Sequence, residues 1–292
     1  MNDTLTPDRP DVTVALLTRN AGTLLERVLH AVREQDTPRR VELLAIDSGS
    51  TDGTLALLDQ FSARVVTIAG DAFDFGLTRD RAFEEARAPI VVSLSQDAIP
   101  AHPRWLEHLV APLDDPAVAA SCGRSIPDPD RGYPQFPWER NGYFYFTHEM
   151  KKFAGQYGRG LSNANSAIRR SVWEQVRFGA ASIGEDYRFQ SKLGADRGGI
   201  AFPDDAPVLH HHNYTLTQLY KRCRNEGLGL RELGCEYNEA DLLLDLIAPR
   251  KYWVWLRELF SGRLTTCAAL AFPLVRPAAV YAGSRFGRSY LR

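Results

Sequence analysis

Over the first hundred positions, short apolar runs alternate with amphipathic stretches in a regular beat. Residues 12–17, 41–46, 65–68 and 90–94 are nearly continuous in Val, Ile, Leu and Ala, the pattern of strands covered on both faces. Between the first two, Leu24, Leu25, Val28, Leu29 and Val32 share one helical stripe behind Arg19-Asn20, and shorter helices are expected over 54–61 and 79–86. This alternation predicts an α/β fold with a mostly parallel central sheet flanked by helices. Residues 1–11 are polar, contain proline and are expected to be flexible.

A further strand is expected over 117–123. Periodicity then fails across 124–157, a stretch rich in Pro, Gly and aromatic residues, as in functional loops and lids. Order returns at 165–168, followed by helices from Ser171, over 185–193 and over 216–233, with His210, His211 and His212 between the last two.

In the tail, Trp253, Trp255, Leu256, Leu259 and Phe260 alternate with Arg250, Lys251, Arg257 and Arg263. Such a helix either lies on a membrane surface or packs as part of a helical subdomain. The run 264–283 is interrupted by Pro273, Arg276 and Pro277, so a spanning helix is not expected.

At 292 residues the chain can bury a full core without staples. Its four cysteines include no C-x-x-C pair and no secretory leader is evident, which points to reduced thiols in a cytoplasmic setting. The net charge of -1 argues against a nucleic-acid binder. The charge is uneven: residues 246–292 carry eight basic residues against the single acid Glu258.

Two strands end in carboxylates. Asp97 closes the run Ile90-Val91-Val92-Ser93-Leu94-Ser95-Gln96-Asp97, and Asp47 closes Leu43-Leu44-Ala45-Ile46-Asp47. A carboxylate at a buried strand end needs a partner, for which a divalent cation is the natural choice, and open α/β sheets bind ligands at that edge.

Thr18-Arg19-Asn20, Asp47 through Thr54, Gly76-x-x-Arg79, Asp97 and Gly184-Glu185-Asp186 occur in an order that resembles the family 2 glycosyltransferases, over about residues 12–229. Within that family the segments 73–80, 94–100, 162–173 and 210–215 are most similar to bacterial rhamnosyltransferases. The resemblance implies a GT-A fold over 12–233, with a Rossmann-like nucleotide-sugar half (12–123), an acceptor half (124–233) and a basic, helical C-terminal region (234–292). It implies an inverting, metal-dependent transfer, with L-rhamnose from dTDP-L-rhamnose as the favoured donor. The expected acceptor is a lipid-linked saccharide or polysaccharide of a bacterial surface glycan (O-antigen, capsule or cell wall), met at the inner face of the cell membrane.

Residue by residue, the same likeness makes Asp186 the base, with Glu185 beside it to orient the acceptor or reach the metal. Thr18, Asn20, Asp47, Arg79, Gln96 and Asp97 become donor contacts. Asp97 with His210 or His212 becomes the site of Mg²⁺ or Mn²⁺. Trp138, Tyr143 and Tyr145 are candidates for stacking on acceptor sugars. The family's D-x-D reads Ser95-Gln96-Asp97 here, lacking its first carboxylate. UDP-glucose, UDP-N-acetylglucosamine or another nucleotide sugar is the alternative donor, and a noncatalytic sugar-nucleotide or glycan-binding scaffold the alternative role.

Overall fold

The computed structural model describes residues 9–141, 160–181, 183–193 and 199–287. Ten strands occur: β1 (Val12–Thr18), β2 (Val41–Asp47), β3 (Arg64–Thr67), β4 (Ile90–Ser95), β5 (Ile99–Pro100), β6 (Val118–Cys122), β7 (Ser125–Ile126), β8 (Asn165–Arg169), β9 (Gly199–Ala201) and β10 (Val208–Leu209) among the described residues. The helices are α1 (Leu24–Arg33), α2 (Thr54–Gln60), α3 (Phe75–Glu85), α4 (Trp105–Val110), α5 (Pro137–Asn141), α6 (Arg170–Val176), α7 (Glu185–Leu193), α8 (Leu216–Glu232), α9 (Glu239–Ile247), α10 (Pro249–Phe260) and α11 (Cys267–Phe286). The chain forms two compact units. One comprises Met1–Ser125, Leu161–Ala181 and Glu185–Leu209; the other comprises Ile126–Gly160, Ser182–Gly184 and His210–Arg292.

The first unit is built on a seven-stranded sheet of order β3-β2-β1-β4-β8-β6-β9. Its neighbours run parallel except β8, which is antiparallel to both β4 and β6. Strand polarity alternates the side chains between two cores. Val14, Leu16, Val92 and Leu94 meet α1 and α4 on one face, whereas Ala15, Ile46 and Val91 meet Phe83, Trp173 and Phe189 on the other. The chain runs outward from β1 through β2 to β3 and then crosses back to place β4 on the other side of β1, and this reversal of strand order is the point in an open sheet where a ligand crevice forms. In register, Thr18 lies opposite Asp47 and Leu17 opposite Ser95, so these strand ends finish level with one another.

Helix α3 begins four residues earlier than the expected start at 79. Asp74 caps it by accepting a hydrogen bond from the Leu77 N–H at 2.9 Å, and Gly76 lies in its first turn. A side chain at Gly76 has no room: an added Cβ would stand 1.8 Å from the Gly179 carbonyl oxygen. The start of α3 is therefore pressed onto the 178–181 segment, where Ala181 N–H also donates to Asp74.

The second unit is largely helical. Helices α8 and α11 approach closely at two glycines, since a Cβ on Gly227 would lie 2.0 Å from the Val280 oxygen and one on Gly283 1.8 Å from the Arg224 oxygen. Helix α11 runs unbroken through Pro273 and Pro277. A proline leaves the carbonyl four residues before it without its helical donor. Both orphans are taken by α10: Trp255 Nε1–H donates to Ala269 O at 3.1 Å, and Lys251 Nζ donates to Pro273 O at 3.0 Å. Helix α11 is long and apolar enough to cross a membrane, with a mean hydropathy of 1.2 in its best window, and 56% of that window is buried inside the protein. Two of the tail's basic residues turn inward: Lys251 is buried, and Arg276 pairs with Glu226 at 2.5 Å and reaches the Cys223 sulfur.

Candidate functional site

At the carboxyl edge of the first unit's sheet lies a cavity of about 340 Å³. Thr18, Arg19, Ser48, Arg79, Gln96 and Asp97 supply its polar lining, and Phe73 and Phe75 form an aromatic wall with ring centroids 4.9 Å apart. The β1 and β4 edges are tied together here: Gln96 Oε1 accepts from Arg19 N–H at 2.9 Å, while its Nε2 donates to the Arg19 carbonyl.

Asp47 and Asn20, expected as donor contacts, are not among the lining residues. The fully buried Asp47 carboxylate accepts four hydrogen bonds, from Gly49 N–H, Ser50 N–H, the Ser50 hydroxyl and the Thr18 hydroxyl. That set folds the 47–50 turn and holds it against the end of β1. Asn20 likewise receives Thr51 N–H on its side-chain oxygen at 2.8 Å. Asp52 accepts Thr54 N–H at the start of α2 and Gly22 N–H from the facing loop.

Two guanidiniums line the cavity, those of Arg19 and Arg79, and Arg79 is the buried one. It is 95% buried, its Nη2 lies 3.6 Å from Glu185 Oε1, and its Nε and Nη1 have no hydrogen-bond partner. Both of those nitrogens are sealed from solvent; a guanidinium in a cavity lining suits an anion, because it can meet two oxygens through its planar fork.

Glu185 and Asp186 occupy the first turn of α7. Burial, followed by the neighbouring Glu185 charge, pushes the Asp186 carboxyl up to about 7, against the opposing pull of Tyr187 N–H, Asn163 N–H and Arg79. Such a carboxylate is poised to take a proton near neutrality. Glu185, by contrast, is spent on Arg79 and on the Asn163 side chain, whose Nδ2 donates to it at 3.1 Å. Asn163 is the residue that sequence reading missed. It holds both acids, giving its side-chain amide to Glu185 and its backbone N–H to Asp186, while Ser166 donates to its oxygen. Its only signal was its place in the quoted 162–173 segment.

In the second unit the three histidines divide into two kinds. His211 is buried, its Nδ1 accepts Asp128 N–H at 3.0 Å, and burial together with Arg131 lowers its pKa, so it is a neutral packing residue. The His210 and His212 rings meet edge to face at 4.6 Å; His212 stacks on Tyr214, and its Nδ1 lies 3.6 Å from Glu139. Trp138 belongs to α5, while Tyr143 and Tyr145 lie outside the described residues.

The sequence profile described as Glycosyl transferase family 2 matches residues 13–177. The chain is 33% identical to the O-antigen chain rhamnosyltransferase RfbN of Salmonella typhimurium over 74% of its own length and 71% of the relative's. It is 32% identical to the O-antigen chain rhamnosyltransferase WbaN of Salmonella anatum, over 75% and 72%. By fold it is similar to the mannosyltransferase PcManGT from Pyrobaculum calidifontis, a complex with GDP-Man and Mn²⁺, at a TM-score of 0.62 and 19% identity over 96% of this chain and 87% of that one. Glucosyl-3-phosphoglycerate synthase from Mycobacterium tuberculosis, in complex with Mn²⁺, UDP-glucose and phosphoglyceric acid, has a TM-score of 0.58 and 22% identity over 77% and 80%.

Proposed function

Because this chain belongs to glycosyltransferase family 2 and is a glycosyltransferase, we propose that it transfers L-rhamnose from dTDP-L-rhamnose with inversion. The acceptor is a lipid-linked saccharide or polysaccharide of a bacterial surface glycan, met at the inner face of the membrane. The observation that carries this reading is Asp186: a carboxylate with a pKa raised to about 7, joined through Glu185 and Arg79 to the cavity at the strand ends. The rhamnosyl donor is favoured by the named activity of the two Salmonella relatives.

In the proposed reaction the acceptor hydroxyl oxygen attacks the anomeric carbon from the face opposite the diphosphate. The bond from that carbon to the diphosphate oxygen breaks, its electron pair leaves with the diphosphate, and the hydroxyl proton passes to Asp186. In this reading the Arg79 guanidinium meets the diphosphate from the cavity lining, and Glu185, 3.6 Å away, holds it in place. Asp97 with His210 or His212 holds the cation, a carboxylate and an imidazole being donor types that suit Mn²⁺ or Mg²⁺. When bound there, the cation supplies Lewis-acid neutralisation of the leaving diphosphate.

Calorimetry with dTDP-L-rhamnose, UDP-glucose, UDP-N-acetylglucosamine and GDP-mannose, followed by transfer of labelled sugar to a lipid-linked fraction with Mn²⁺, tests the reading. Preferential binding and transfer of rhamnose, lost in Asp186→Asn, is expected. Selective use of another donor would replace the sugar, and full transfer by the variant would remove the base.

A further inference from the structure

Among the described residues, sixteen large apolar side chains are exposed, and nine of them fall between Glu239 and Phe286. In α10 they form a single stripe. Trp253, Leu256 and Phe260 follow one another at i, i+3 and i+7, with Trp253 63% and Phe260 83% exposed. The opposite face of the same helix is fully used within the unit, since Lys251 and Trp255 hold the α11 carbonyls and the buried Glu258 accepts from Tyr133. The helix is thus finished on one side and apolar on the side that faces away.

The stripe is edged by charge of one sign. Arg250 and Arg257, one heptad apart, are exposed beside it, and Arg263 is exposed three residues past its end. The Arg257 guanidinium lies over the Trp253 ring at 5.6 Å, holding a cation at the level of the aromatic plane. Just upstream of α10, Leu243, Leu244 and Ile247 extend the exposed apolar surface along α9. Glu258, the sole acid between 246 and 287, is buried with its carboxylate 3.6 Å from both Arg257 and Arg263, so one acid is shared by two guanidiniums that stay more than half exposed, and Arg250 adds a third exposed cation.

From this pattern we infer that the outer face of α10 is a docking surface for an anionic bilayer. Trp253, Leu256 and Phe260 enter the boundary between headgroups and acyl chains, and Arg250, Arg257 and Arg263 meet the lipid phosphates. An apolar stripe with an aromatic anchor and flanking arginines has the composition of a helix lying in the membrane plane, to a depth of about 5 to 10 Å. Exposed cations along the edge of the stripe, with no exposed carboxylate on α10 among them, complement lipid phosphates in charge. The inference deepens, and rests on, the membrane setting proposed above; the chemistry of transfer does not depend on it.

The test is flotation of the full chain with vesicles of phosphatidylglycerol and phosphatidylethanolamine, and with vesicles of phosphatidylcholine alone. Binding to the anionic vesicles that weakens with salt is expected. The surface variant Trp253→Ser/Leu256→Ser/Phe260→Ser should lose about tenfold or more of that binding, and Arg250→Gln/Arg257→Gln/Arg263→Gln should lose both affinity and salt dependence. Hydrolysis of nucleotide sugar in vesicle-free buffer serves as the separate readout of the active site and should be unchanged in both variants. Wild-type protein that fails to float, or a serine variant that floats equally well, would overturn the inference while leaving the catalytic reading intact. So would self-association in vesicle-free buffer that the serine variant abolishes, because the stripe would then face a second copy.

Discussion

Arg79 and Glu185, separated by more than a hundred residues in sequence, face each other across 3.6 Å with both side chains less than a tenth exposed. One arises from the first turns of α3 and the other opens α7, so the pair joins the cavity wall to the carboxylate cluster. A buried cation is tolerated there because Glu185 and Asp186 oppose the desolvation that lowers its pKa.

Removing one member leaves the other buried and unpaired. Arg79→Met should destabilise the fold by about 3 kcal/mol and raise the donor Kd, whereas Arg79→Met/Glu185→Leu should regain much of the stability without regaining donor affinity. Urea denaturation alongside calorimetry separates the two effects. Tight donor binding by the double variant would show that Arg79 does not meet the nucleotide sugar.

Asp186 should set the pH profile. Turnover requires its carboxylate form, so the rate should rise with pH through about 7 and then level. For stability the sign is reversed. The folded chain holds a proton at 186 more readily than the unfolded chain, whose carboxyl has the ordinary value of 3.8. This contribution is complete below about 4 and is lost as pH climbs to about 7. Asp186→Asn should abolish transfer yet melt above the parent at pH 8, with the difference shrinking toward pH 5. A pH-independent difference in melting would contradict the raised pKa.

Gly76 should not accept a side chain. Gly76→Ala drives a methyl into the Gly179 carbonyl, one turn before Arg79, and should cost about 1 to 3 kcal/mol while raising the donor KM more than it lowers kcat. Steady-state kinetics beside thermal melts checks both; an unchanged KM would mean that α3 absorbs the shift without moving Arg79.

Chelation should stop transfer, and Mn²⁺ or Mg²⁺ should restore it. Asp97→Asn is expected to weaken Mn²⁺ binding by about tenfold or more, read by electron paramagnetic resonance on the protein without donor. Equal Mn²⁺ affinity in the variant would place the ion elsewhere.

Much of this arrangement was legible in sequence because strand periodicity and strand-end polarity are local. The apolar runs ending at Thr18, Asp47 and Asp97 located the sheet's carboxyl edge. What remained hidden depended on partners far along the chain. Asp47 has the look of a ligand-binding carboxylate until four donors from its own turn and from Thr18 occupy it. Helix α3 starts at Phe75 rather than at Arg79, because Asp74 caps it and the distant 178–181 segment packs on its first turn. Asn163 gives no periodic or motif signal of its own, and its role follows only from α7 returning to it. In the tail, Lys251 and Arg276 belong to the basic excess visible in sequence, and it takes their carbonyl and carboxylate partners in the fold to show them turned inside.

The carbonyls left open by Pro273 and Pro277 tie the fate of four positions together. Were Pro277 to mutate to an ordinary helix former, α11 would complete its own ladder at residue 273, and Lys251 would be stranded as an ammonium ion with one acceptor fewer. Selection should therefore let the proline and the lysine change only in concert, as it should Pro273 and Trp255, and paired drift at these sites among descendants of this sequence would be the historical trace of a bond made between backbone and side chain.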